Sequence, residues 1–367
     1  MTRLSAPIKA SMKKTATALT LACSLLSVMS ISQAQAADNI DVSFQTILQQ
    51  ERNWAGLQSK SLKVGDITWS YSEGGSSTKP TLLLIHGLAG SRDNWNRVAH
   101  YLTTNYHVII PDLPGSGETI VSHDFDYSVP NLAEKLRRFV EAANLKGPIH
   151  IAGHSLGGSI ALLYAGQYPF ETKSLFLVDS GGIFRSANTI YLKDPTYLKQ
   201  LLVSKKGDFN YLFSVHDKFH RTLILSGFCE ICRVQSYLLK QTMFNPPFIP
   251  KEFLQAQEKL MINQASQTQK LVDQLIALNK VYTPDSFAVL TKTIDAPTLI
   301  LWGKQDKIIN VEVANELKRL LKNAQPPVIL ENVGHMPILE AEQLVIQQYV
   351  PFLLKVETNQ SSKTTTP

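Results

Sequence analysis

The sequence predicts an α/β fold: a mostly parallel, doubly wound sheet with a helical cap inserted after the sixth core strand. Short, continuous apolar runs recur at 81–85, 106–110, 148–152, 174–178, 297–301 and 327–330. Such a run suits a strand covered on both faces, whereas a half-exposed strand would alternate apolar and polar residues. Helical patterns at 129–143 and 311–321 fall between the runs, and a parallel sheet needs a crossover of that kind to return the chain for each new strand. From 183 to 284 the alternation stops. Helical pattern continues there with breaks at Pro195 and in Asn245-Pro246-Pro247-Phe248-Ile249-Pro250, without a buried-strand run.

Residues 1–36 read as a signal peptide. Lys13-Lys14 closes a positive segment, 16–31 is moderately apolar, and Ala34-Gln35-Ala36 offers small residues for cleavage before Ala37. Thr17, Thr20, Ser24, Ser27 and Ser30 interrupt the apolar stretch, which is short for a membrane span. The mature chain is therefore expected to be periplasmic or secreted, with no stable transmembrane segment. Lipoprotein anchoring at Cys23 is the alternative, poorly supported by Thr20-Leu21-Ala22 before it. Residues 37–60 form an amphipathic N-terminal segment. Residues 61–71 alternate around Gly65-Asp66 as a β-hairpin, with Leu62, Val64, Ile67 and Trp69 at the apolar positions. The core is expected over 61–182 and 285–355, the helical cap over 183–284, and a polar, disordered tail over 356–367.

A chain of 367 residues with 44% hydrophobic content can bury a large core. Its formal charge is +6, but Arg3, Lys9, Lys13 and Lys14 lie within the first 36 residues, which hold no acid; 32 basic and 30 acidic groups remain. Nucleic acid is not an expected partner, because phosphate recognition needs a concentrated positive field. The cap interval has more basic than acidic residues and the remaining body the reverse. That imbalance suits a cap that meets an anionic interface, or is an uneven surface without a role. Beyond the signal only Cys229 and Cys232 remain, spaced C-x-x-C. In an exported chain they form a small disulfide, or they stay as two buried thiols. No second cysteine pair completes a four-ligand set, so no metal or cofactor is expected.

One stretch points to chemistry. Gly153-His154-Ser155-Leu156-Gly157 sets a serine between glycines, after a strand and before a helical segment, the pattern of a nucleophile elbow. A serine hydroxyl needs a base within hydrogen-bond reach and an acid to orient that base. Of nine histidines, His335 in Gly334-His335-Met336-Pro337 follows the last strand and can hang over the sheet edge. His86 and His154 adjoin backbone turns and are expected to brace loops. Asp306 follows the 297–301 strand and precedes His335, in the order serine, acid, histidine; Asp179, which also ends a strand, is the rival. The amides of Leu88 and Leu156 are candidates for an oxyanion hole. Asp112-Leu113-Pro114-Gly115-Ser116-Gly117 lacks the spacing of a phosphate loop and reads as structural.

Taken together, His86-Gly87, Gly115-x-Gly117, Gly153-x-Ser155-x-Gly157, Asp306 and Gly334-His335, in this order over about 62–352, resemble the α/β-hydrolase superfamily. With the signal peptide, HGLAGSRDNW, PDLPGSGE and GHSLGGS are similar to the exported bacterial lipases of family V. The resemblance implies the α/β-hydrolase fold, with Ser155, Asp306 and His335 as catalytic residues. It also implies a lipase or esterase activity on a lipid or small-molecule ester, with transient contact at a lipid interface. Phe244, Phe248 and Ile249 would then line the acyl site, unless they merely pack a proline-rich turn. Carbon–carbon bond hydrolases and cofactor-free haloperoxidases share this core, and amidase activity is a further alternative. Epoxide hydrolases and haloalkane dehalogenases carry aspartate at the position of Ser155, which argues against them. A non-catalytic binding protein is the alternative of a different class.

Overall fold

The computed structural model describes residues 40–88, 90–145, 147–182, 243–244 and 284–361. The expected signal peptide with Cys23, the pair Cys229 and Cys232, most of the expected cap including Phe248 and Ile249, and residues 362–367 lie outside the described residues. In chain order the elements are α1 (Ile40–Trp54), β1 (Leu57–Val64), β2 (Ile67–Gly74), β3 (Thr81–Ile85), α2 (Asn96–His100), β4 (His107–Pro111), α3 (Val129–Ala142), β5 (Ile149–His154), α4 (Leu156–Gln167) and β6 (Thr172–Val178). After the 183–283 interval come α5 (Pro284–Thr291), β7 (Thr298–Gly303), α6 (Glu312–Leu320), β8 (Val328–Leu330), α7 (Pro337–Glu340) and α8 (Glu342–Ser361).

The strands form one sheet in the order β1-β2-β4-β3-β5-β6-β7-β8. Pairing is antiparallel from β1 through β2 to β4 and parallel from β4 onward, so the mostly parallel, doubly wound sheet read from the apolar runs is present. Alternate side chains of each central strand enter different cores. Leu83 and Ile85 join Phe139 of α3, Ile160 of α4 and Leu317 of α6; Leu82 and Leu84 join Val98 of α2 and Tyr349 of α8. Apolar residues at every position of such a strand follow from this two-sided burial.

Two boundaries differ from the sequence expectation. The hairpin begins at Leu57, inside the segment assigned to 37–60, because Leu57 is buried and pairs with Gly74. Gln58, Ser59, Lys60 and Ser61 are exposed on this edge strand, so no alternation marked its start. At the other end, 356–361 is the last part of α8 rather than a disordered tail. Val356 is buried there, and Glu357 accepts hydrogen bonds from His150 Nε2 at 2.6 Å and Lys173 Nζ at 2.8 Å. Composition hid this anchor, because both partners come from distant strands.

Strand β3 lies between β4 and β5, so the chain turns to one side after β3 and then crosses back over it. Ligand sites in such sheets form at the carboxyl ends of the strands where the order reverses. The loops after β3, β5, β6, β7 and β8 all open on this edge.

Candidate active site

Ser155 follows β5 and caps the start of α4 with φ +53° and ψ −119°. A non-glycine residue in that region is strained by about 1–3 kcal/mol and persists only where its surroundings hold it. Here the Ser155 N–H donates to Val178 O at 3.1 Å, and Ser155 O accepts from Gly158 and Gly181. The glycines allow the backbones to close up. A Cβ on Gly157 would press into the carbonyl oxygens of Ile85 and His86, and one on Gly153 into that of Gly157.

His335 follows β8 and is buried. Its Nε2 lies 2.9 Å from Ser155 Oγ and its Nδ1 2.8 Å from Asp306 Oδ2. The other oxygen of Asp306 accepts the N–H groups of Ile308 and Ile309 at 2.7 and 3.0 Å. The fold thus joins three residues, the outer two 151 positions apart, into one hydrogen-bonded line from hydroxyl to carboxylate. The rival acid, Asp179, is buried beside this line and accepts Gly303 N–H at 3.0 Å, but it does not replace Asp306 at His335 Nδ1. Asp179, Asp306 and His335 bring three potential ligand atoms within 4.8 Å of one another; His335 Nδ1 and Asp306 Oδ2 are already engaged with each other.

Leu156 is the first residue of α4, where amides lack an acceptor in a preceding turn and the helix end is positive. Leu88 is half-buried in the loop after β3, a turn closed by Gly90 N–H to Gly87 O at 3.2 Å. That loop leans directly on the elbow: a Cβ on Gly87 would lie 3.0 Å from Ser155 Cβ.

His86 and His154 both hold backbone. The Nε2 of His86 accepts Leu113 N–H at 2.9 Å, so its Nδ1 carries the proton and donates to Gly87 O at 2.8 Å. His154 donates from Nε2 to His335 O at 2.6 Å. Burial, with the neighbouring His335 adding to it, pushes His154 down to about 3, which keeps it neutral.

Three supporting features escaped the sequence reading. Glu340, on α7, accepts the N–H groups on both sides of His335, from Gly334 at 3.1 Å and Met336 at 3.3 Å, and the N–H of Phe244 at 2.8 Å. The side chain of Phe244 itself is exposed. The one available signal was an acid five residues after His335, behind a proline that opens a helix. Arg92 locks HGLAGSRDNW to PDLPGSGE: its side chain pairs with Asp112, its N–H donates to Asp112 Oδ1 at 2.7 Å, and its Nη2 reaches Glu118 at 2.7 Å. Asp112 also accepts Glu118 N–H at 2.9 Å, which gives this loop the structural role expected of it. Arg52 of α1 grips Asp93 through two hydrogen bonds of 2.7 Å, tying the N-terminal helix to the loop that follows Leu88.

Among known proteins, residues 80–342 match the family model described as the alpha/beta hydrolase fold. The chain is 32% identical to Lipase 1 of Psychrobacter immobilis over 84% of this chain and 88% of that one. It is 91% identical to the crystal structure of a lipase candidate, lip1, from Acinetobacter baumannii AYE, with TM-score 0.74, covering 88% of this chain and all of that one. It also resembles the crystal structure of a membrane phospholipase A described as a bacterial virulence factor, at 30% identity and TM-score 0.74, covering 94% and 99% of the two chains.

Proposed function

Because the chain belongs to the α/β-hydrolase fold family, we propose that it is a serine carboxylic ester hydrolase, a lipase or esterase working through an acyl-enzyme. What carries the reading is the line Ser155–His335–Asp306, with its spacings of 2.9 and 2.8 Å. His335 Nε2 takes the Ser155 proton as Oγ attacks the ester carbonyl, and Asp306 stabilises the imidazolium that forms. The oxyanion meets the amides of Leu88 and Leu156. His335 then protonates the departing alcohol, and by the same nitrogen activates the water that releases the acid. This chemistry calls for no metal or cofactor.

The likeness to Lipase 1 and to lip1 supports an acylglycerol-type ester. The interval 183–284, whose sequence pattern reads as a helical cap and which lies mostly outside the described residues, is the proposed acyl-selecting part, with Phe244, Phe248 and Ile249 as its candidate acyl-site residues; its basic excess favours transient contact with an anionic lipid interface. No helix among the described residues is long and apolar enough to cross a membrane. The signal-like first 36 residues support export to the periplasm or the medium, in preference to lipidation at Cys23.

A series of p-nitrophenyl esters from short to long acyl chains, extended to acylglycerols and a phospholipid, tests the reading with wild type beside Ser155→Ala. The expected result is ester turnover in the wild type and a loss of about 10⁴-fold or more in kcat for the variant. Equal rates for the two proteins overturn it. Mass spectrometry of the exported form reads the mature N-terminus and tests cleavage before Ala37.

A further inference from the structure

We propose that Asp179 holds a proton at neutral pH and donates it in a hydrogen bond to Asp306, as a positioning residue behind the Ser155–His335–Asp306 line and its reserve carboxylate. The proposal rests on the assignment of that line as the catalytic triad. Strands β6 and β7 are parallel neighbours, so the residues that follow them meet at the sheet edge. Asp179 is pinned there in a positive-φ conformation, φ +42°, with its N–H donating to Leu301 O at 3.0 Å.

The two carboxyl groups are unequally supplied with donors. Asp306 accepts three N–H groups: from Ile308, Ile309 and His335 Nδ1. Asp179 is fully buried; Oδ1 accepts Gly303 N–H, and Oδ2 receives no donor among the described residues. A carboxylate oxygen of Asp179 lies within 4.8 Å of one of Asp306. Two buried carboxyl groups this close do not both ionise, and hydrogen bonds to the charged form decide which does. The charge therefore rests on Asp306 and the proton on Asp179, whose O–H has the Asp306 carboxylate as its acceptor.

The other titratable groups facing the pair are His335, Glu340 from α7 and, behind His335, His154 from β5. Burial first, and the charge of Asp306 second, raise the Asp179 carboxyl well above the ordinary carboxylate range. The O–H of Asp179 keeps Asp306 aimed at Nδ1. When Asp306 becomes an amide, its charge no longer opposes ionisation of Asp179. Asp179 can then release its proton to solvent and act as the anion for His335, to which it is already within 4.8 Å.

The test compares kcat against pH for Asp179→Asn, Asp179→Leu, Asp306→Asn and the double variant Asp179→Asn/Asp306→Asn, with p-nitrophenyl butyrate as substrate. Leucine at 179 is expected to lower kcat about a hundredfold, and asparagine, which keeps a donor toward Asp306, to recover about tenfold of that loss. Asp306→Asn should keep a residual rate that rises with pH as Asp179 ionises. The double variant should fall about tenfold below it and lose the rise. If the double variant matches Asp306→Asn in rate and profile, the proposal is overturned and the triad stands. If Asp306→Asn keeps the wild-type rate while Asp179→Asn loses about 10⁴-fold, the triad assignment itself fails.

Thermal melts supply a readout that does not depend on turnover. At neutral pH the unfolded wild-type chain has lost the Asp179 proton that the fold retains, so burying this group costs stability there. Asp179→Asn is expected to melt higher than wild type at neutral pH, by a margin that shrinks toward pH 4. A margin that instead grows toward pH 4 overturns the proton assignment.

Discussion

The Nε2–H of His154 donates to the backbone carbonyl of His335 at 2.6 Å, so the residue before Ser155 also holds the loop that carries its candidate base. One dipeptide, His154-Ser155, thereby sets both ends of the Ser155–His335 hydrogen bond. The two imidazole rings lie 5.0 Å apart, tilted by 49°, and a second positive charge there would oppose the imidazolium that His335 must become.

This neutral histidine makes the fold sensitive to acid. The folded value of His154, about 3, lies below its ordinary 6.5, so the unfolded chain binds a proton that the fold refuses. The stability linked to this group is complete above pH 6.5 and is lost progressively as pH falls toward 3. His154→Gln retains an N–H donor for His335 O but cannot titrate. Its melting temperature is expected to fall less steeply than that of wild type between pH 6.5 and 4; parallel curves would refute this.

Glu340 gathers the amides on both sides of His335 and the amide of Phe244. Glu340→Ala leaves those donors without the carboxylate, each worth about 1–3 kcal/mol where water cannot replace it. The expected result is a tenfold to hundredfold fall in kcat, as order-of-magnitude bounds, with a smaller change in KM. Glu340→Gln, with one carbonyl acceptor left, should fall between alanine and wild type. A rise in KM at constant kcat would mean that Glu340 serves substrate binding instead.

Arg92 and Asp112 are buried and paired, each with a side-chain exposure of 1%. Removing one partner strands the other charge, at a cost of about 3–5 kcal/mol. Arg92→Met is expected to lower the unfolding free energy, read from denaturant titration, by that amount, and Arg92→Met with Asp112→Leu to recover part of it. A double variant no more stable than Arg92→Met would show that Asp112 acts through the backbone amides of Arg92 and Glu118 rather than through the ion pair.

At the opposite edge of the sheet, the hydrogen bond from His150, supported by Lys173, holds the Glu357 carboxyl down to about 2 against an ordinary 4.5. A depressed acid contributes stability that is present above pH 4.5 and lost as pH falls through 2. Glu357→Gln should therefore melt below wild type near pH 7, with the gap closing toward pH 2. A gap independent of pH would assign the effect to packing of α8.

Ser155, His335 and Asp306 stood out as candidates because each sits in a local pattern that carries its own geometry: an elbow between glycines, a loop after the last strand, and an acid leaving the strand before it. Asp179 was visible for the same reason, as a residue ending a strand. Its relation to Asp306 was not, because it depends on β6 and β7 being neighbours across the whole 183–283 interval. Glu340, Arg92 and Glu357 looked like ordinary charged residues of helices and loops. Each takes its role from partners in other elements, or from a carboxylate folding back on its own loop, and no periodicity records that.

Local chemistry and the period of the apolar pattern determined the class of fold, the elbow at Ser155 and the order of serine, acid and histidine. These are properties of short segments whose backbone sterics and two-sided burial act within a few residues. Tertiary structure alone decided which carboxylate meets His335 Nδ1, which one is left beside it with fewer donors, and which charges hold the loops in place. Those outcomes depend on distances between segments far apart in the chain, and only the pairing order of the sheet brings the segments together.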